Sequence, residues 1–173
     1  MGVPDLVEAG APIPAEFWIK AAQASVRSEC GWHVAPSYRE TLRLDGSGGR
    51  QLLLPSKHVT EVHSVVCAGV DVTDEVYWSR SGTMEFESRV WPSMPGVIEV
   101  ELTHGFDAGE VPEVAALMVT LARRARAMTS VAKQGVNGAS VEYFAAGGAP
   151  LSVPLLGIEK DLLAAYRLNW SVA

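Results

Sequence analysis

The sequence predicts an α+β fold, a helical core carrying a small antiparallel β insertion, and three observations predict it. Two segments of helical period, "AEFWIKAAQASVRSECG" and "VPEVAALMVTLARRARAM", flank a block of short β-branched and apolar runs. That block has no room for a crossover helix between its strands, so they pair antiparallel. A third helical pattern, "PLLGIEKDLLAAYRL", follows a stretch rich in glycine and proline. The expected organisation is a single domain: residues 1–133 form the helical core with the β insertion at about 37–104, and 134–173 form an extended C-terminal arm and final helix.

The first helix is expected over about 14–30. Phe17, Ala21, Ala24 and Ser28 make one stripe, with Trp18, Ala22 and Val26 beside it. Pro14 suits a first turn, where its missing N–H would have had no partner, and Gly31 suits a left-handed cap. From Trp32 to Phe106 the runs "TLRLD", "QLLLP", "HVTEVHSVVCAG" and "VIEVELTHGF" read as strands, separated by turn formers from Gly46 to Pro95. Roughly five to seven strands fit there. "DGSGG", lying between two extended runs, reads as a hairpin loop.

The second helix is expected over about 111–130, burying Val114, Leu117, Met118, Leu121, Ala125 and Met128. Pro112 opens it, Glu110 and Glu113 suit the positive end of its dipole, and Arg123, Arg124 and Arg126 suit the negative end. Residues 134–153 show no period and read as an arm, on which Tyr143 and Phe144 need a surface to bury against. The last helix, about 154–168, places Leu155, Ile158, Leu162, Ala165 and Tyr166 on one side.

The 173 residues are 48% hydrophobic and 20% charged, which is ordinary globular composition. A formal charge of -6 disfavours a protein whose task is gripping phosphate backbones, since that affinity comes from clustered Lys and Arg. There is no basic leader and no run of eighteen apolar residues, so the chain is expected to be neither exported nor membrane-spanning. Cys30 and Cys67 read as buried free thiols, with a disulfide between them as the alternative.

No constellation in the sequence carries catalysis. Gly49 is followed by Arg50 and a strand, where a phosphate loop needs Gly-Lys-Ser or Gly-Lys-Thr and a helix. The dinucleotide fingerprint fails at Gln51. On one strand His58 and His63 point to opposite faces, while His63 and Cys67 share a face but stand about 13 Å apart, too far for one ion. His104 could approach one of them from a neighbouring strand, but the paired short spacings of a zinc site are absent. No Gly-x-Ser-x-Gly elbow occurs. The expectation is no catalytic residue, no metal and no cofactor; the rival is a small metal-assisted hydrolase using His58, His63, Cys67 or His104. "RRAR" at 123–126 reads as a solvated helix end, with a partner-docking patch as the other reading.

Taken in order, "AAQASVRSECGWHVAP", "TLRLDGSGGRQLLLPSKHVTEVHSV", "YWSRSGTMEF", "IEVELTHGFDAGEVPEVAALMVTLARRA" and "LLAAYRL" resemble, in content and spacing, the head-to-tail adaptor proteins of tailed bacteriophages, above all those of actinobacteria. These are also called head completion or connector proteins, and the resemblance covers roughly residues 20–168. It implies a structural virion protein that forms a ring, usually dodecameric, docks on the portal of the filled capsid and offers a platform to stopper or tail components. DNA would pass through its channel without sequence-specific binding, and an acidic lumen would let it slide. The implied location is the virion neck, after assembly in the host cytoplasm. Candidate contacts with the portal or a neighbouring subunit are Tyr143, Phe144, Leu155 and Tyr166, with Arg123, Arg124 and Arg126. A stopper or tail-terminator of the same neck is the second reading.

Overall fold

Helix α1 runs over Ala15–Cys30, with Pro14 extended at its N-cap. It stops at Gly31, whose φ of 79° is the left-handed cap conformation and whose N–H donates to the Arg27 carbonyl at 2.8 Å. The computed structural model describes residues 14–130, 133–136, 139–142 and 154–169, with side chains for 14–126 and 154–169. Both ends of α1 lie where the sequence places them, but the buried stripe is its neighbour. Ala22, Val26 and Cys30 are buried with Trp18 packed beside them, while Phe17, Ala24 and Ser28 face out. The row at four-residue spacing, from Trp18 through Ala22 and Val26 to Cys30, forms a ridge that packs against a second helix.

That second helix, α2 (Pro112–Ser130), buries Val114, Leu117, Leu121, Ala122 and Ala125, with Met118 half-buried. Its face is the expected one; the side chain of Met128 lies outside those described. Among the described residues no helix is long and apolar enough to cross a membrane.

Between the helices lie β1 (Tyr38–Leu44), β2 (Gln51–Leu53), β3 (Val59–Cys67), β4 (Val70–Asp71), β5 (Val76–Trp78), β6 (Thr83–Phe86) and β7 (Ile98–His104). They form two antiparallel sheets, ordered β1-β7-β3-β4 and β2-β6-β5. β7 shows why the first sheet has an inner face: Ile98, Val100, Leu102 and His104 are buried and the residues between them are not. Against this face the second sheet sets Leu52, Met84 and Phe86, and Trp91 lies on Phe86 with ring centroids 4.2 Å apart. The β block thus owns a complete core, separate from the helical one, and is more than a small insertion on a helical body.

"DGSGG" is not a hairpin. It carries the chain from β1 in one sheet to β2 in the other, so its flanking strands are not partners. It is instead laced to the loop at 91–96: the Gly46 N–H donates to the Met94 carbonyl and the Trp91 N–H to the Gly49 carbonyl, both at 2.8 Å. Glycine is required at 46, where a Cβ would stand 1.7 Å from the Pro92 oxygen, and favoured at 48, where φ is 69°.

Past α2, β8 (Lys133–Val136) and β9 (Ala139–Glu142) pair antiparallel, so the region expected as an arm without regular structure carries a hairpin. The Asn-Gly pair separating the two strands in sequence is a signal for such a turn. α3 spans only Gly157–Leu163 and tightens into a 3-10 turn at Ala164–Tyr166. Its inward side is Glu159 and Leu163; the expected inner residues Ile158, Leu162 and Ala165 face out, Ile158 being 77% exposed. Leu155, Tyr166 and Leu168 do pack on the helical cluster, and the Leu168 N–H donates to the Cys30 carbonyl at 2.8 Å.

Candidate functional site

The residues singled out for partner contacts separate into three groups. Tyr143 and Phe144 lie outside the described residues. Arg123 and Arg126 are exposed on α2. Arg124, Leu155 and Tyr166 make contacts within the chain while staying partly exposed.

Arg124 holds α3 onto α2. Its guanidinium reaches both Glu159 oxygens, at 2.7 and 3.0 Å, and the Pro154 carbonyl at 2.6 Å. The same carboxylate accepts the Leu156 N–H at 2.8 Å, closing the first turn of α3. This pairing explains why Glu159 and Leu163 turn inward and Ile158 and Leu162 outward. The Arg124 hydrogen bonds hold the Glu159 carboxyl below its ordinary range, against the opposing effect of burial. Tyr166 is held at three points: its carbonyl accepts the Trp32 indole N–H at 2.6 Å, its ring meets Phe106 edge-on at 5.6 Å, and its hydroxyl donates to Glu113. The bond to Glu113, then burial, pushes its pKa to about 12.

Exposed apolar side chains occur on several elements, Ile19 on α1 and Val119 on α2 among them, and two groups lie close together. Leu156, at the N-cap of α3, and Ile158 and Leu162 within it are all exposed, and the last two, four residues apart, share its outward face. On the β block, Tyr77 and Trp78 are exposed on β5, an edge strand of the second sheet. An exposed apolar helix face and an unpaired strand edge are surfaces of the kind that contacts between proteins use.

A third feature lies at the seam between the two cores. Tyr38 sits opposite His104 and Glu40 opposite Leu102 in the β1–β7 register, which brings Glu40 diagonally onto His104. The His104 ring is 1% exposed, and its Nε2 lies 2.6 Å from a Glu40 oxygen. His33, from the loop after α1, meets the His104 ring edge-on at 4.5 Å and the Tyr38 ring at 4.6 Å. Val34 holds it there with a φ of 63°, a costly conformation for a β-branched residue, while the Ala35 N–H donates to the His33 carbonyl at 2.8 Å. Gly105, at φ 102°, lies so near that a Cβ there would be 2.4 Å from His33 Nε2. Burial, then the neighbouring His104, lowers the His33 pKa to about 4, so the ring is neutral at pH 7.

The side chains weighed for a metal-assisted hydrolase do not assemble. His63 Nε2 is bonded to Thr103 Oγ1 at 2.8 Å, and His58 stacks on Phe106 at 4.1 Å. Cys67 pairs with Ile98 at one end of β7, and His104 stands at the other. Neither cysteine is in a disulfide; Cys30 is buried, which raises its thiol pKa to about 11, and Cys67 is half-buried. The cluster that does form is His33 with Glu40 and His104, a set the sequence expectations do not contain; its signal in the sequence is that Glu40 continues the inward alternation of Leu42 and Leu44, and His104 that of Val100 and Leu102.

No protein-family model matches the chain, and no curated protein matches it. Solved structures do. A chain of the neck of a native GTA particle, computed with C12 symmetry, superposes with a TM-score of 0.55 at 16% identity, over 90% of this chain and 82% of that one. A chain from the virion of a native gene transfer agent (GTA) particle gives 0.52 at 16% identity, over 94% and 82%. A chain from the neck of an empty GTA particle, computed with C6 symmetry, gives 0.50 at 17%, over 98% and 85%. At these identities the likeness is one of fold: this chain is folded as proteins built into the neck of a gene transfer agent particle are folded.

Proposed function

We propose that the chain is a structural component of the neck of a phage-like particle, a ring-forming head-to-tail adaptor that docks on the portal and joins the DNA-filled capsid to stopper or tail proteins. The observation that carries this reading is the fold shared, over 90% of the chain, with a chain of a particle neck computed with C12 symmetry. A twelvefold ring is built from heterologous contacts, in which one face of a subunit meets a different face of the next. The chain has two separate apolar surfaces of the kind such contacts use, the Ile158–Leu162 face of α3 and the Tyr77–Trp78 edge of β5. The charge of -6 suits a channel that lets DNA slide. In this role the chain makes and breaks no covalent bond.

The test is substitution rather than truncation, because removing residues 134–173 would strip Leu163, Tyr166 and Leu168 from the helical core. Ile158→Ser with Leu162→Ser should leave stability within about 0.5 kcal/mol per site, since both side chains are exposed, yet abolish incorporation of the chain into particles. Electron microscopy of the unaltered particle should show this chain as a ring between portal and tail. Density on the tail side of another ring would favour the stopper or tail-terminator reading. A complete neck formed without the chain would end both.

A further inference from the structure

The seam cluster has a chemistry that the neck role does not use. Among the described residues, His33, Glu40 and His104 each offer a ligand atom, and these atoms lie within 4.8 Å of one another. Two imidazole nitrogens in the cluster, His33 Nε2 and His104 Nδ1, are buried without a well-formed hydrogen bond, although the Pro36 and His104 backbones lie near enough to the His33 ring to act on its charge. Buried polar atoms of that kind are rare, because each forgoes the bonds it would make in water. Glu40 meanwhile holds the other nitrogen of His104, at 2.6 Å. A carboxylate on one nitrogen of an imidazole whose other nitrogen is unpaired is the arrangement that orients a histidine toward a cation.

From this geometry we propose that His33, Glu40 and His104 form a binding site for one divalent first-row transition-metal cation, the imidazoles supplying nitrogen ligands and Glu40 the balancing negative charge. Imidazole nitrogens with a carboxylate behind one of them suit zinc and its neighbours; magnesium and calcium prefer sites made wholly of oxygen. The position defines the consequence. His33 lies between Trp32 and Val34 of the helical core, while His104 ends the strand whose Leu102 belongs to the β core. A cation here would pin one core to the other and stabilise the folded chain by binding it alone.

The experiment uses the full chain and zinc chloride as probe. Calorimetric titration should give one zinc per chain, and zinc should raise the melting temperature. His33→Asn and Glu40→Gln should each weaken binding by at least about tenfold and remove the thermal shift, with the far-UV circular dichroism of the zinc-free protein unchanged. Should His33→Asn not fold, the near-isosteric Glu40→Gln carries the comparison. Cobalt(II) bound in place of zinc should give visible absorption that disappears in the same variants. The proposal is overturned if the chain takes up no zinc, if both variants bind as the parent does, or if His63→Ala removes binding while Glu40→Gln does not.

Discussion

The two cores of this chain solve the same problem with different material. The helical core is closed by short side chains, among them Ala22, Ala122 and Ala125, and by residues distant in sequence, Leu163, Tyr166 and Leu168. The β core is filled by larger ones, Met84, Phe86 and Trp91, drawn from strands and loops close in sequence. The helical core therefore depends on its C-terminal closure, and the β core depends on volume. Arg124 and Glu159 secure the first; Trp91 on Phe86 fills the second.

The largest way to break this contrast is at Trp91, which is fully buried. Trp91→Ala should cost about 3–5 kcal/mol in urea denaturation. Hydrogen exchange should show protection falling first in β2, β5 and β6, and an equal fall in α1 and α2 would show that the cores do not differ in this way. A smaller effect is expected at Arg124. Arg124→Ala leaves the Glu159 carboxylate nearly buried and unpaired, at a cost of about 2–4 kcal/mol, measurable as a lower urea midpoint. Its pH signature follows from sign: the folded carboxyl sits below its ordinary 4.5, so its contribution is present above that value and lost as pH falls through the folded pKa. Acid denaturation of the variant should lack that component. Smallest of the three is Gly46→Ala, expected to cost about 1–3 kcal/mol in thermal melts through its clash with Pro92. Gly49→Ala, with no neighbour nearer than 3.7 Å, should be the benign control.

What could be read from the sequence follows the same division. Local signals were legible: the ends of α1 from Pro14 and Gly31, the buried face of α2, and the strands β1, β2, β3 and β7 from their alternation and turns. Features set by long-range pairing were not. "DGSGG" has hairpin composition, but whether β1 and β2 are partners depends on β7 and β6, far along the chain. On α3 the apolar spacing favoured Ile158 and Leu162 as the inner face; an ion pair to Arg124, thirty-five residues away, turned that face outward. The seam cluster needed the β1–β7 register before Glu40 could be placed beside His104. For the Tyr143 and Phe144 contacts the sequence reading remains the only ground.

The fastening of α3 joins parts of the chain that lie far apart in sequence. Arg124 grips the backbone at Pro154 and the Cys30 carbonyl receives the Leu168 N–H, so the stretch 154–168 is tied to α2 at one end and to the end of α1 at the other. A helix of seven residues is too short to persist on its own hydrogen bonds. It therefore rides on the pair beneath it, and should melt whenever α1 and α2 part.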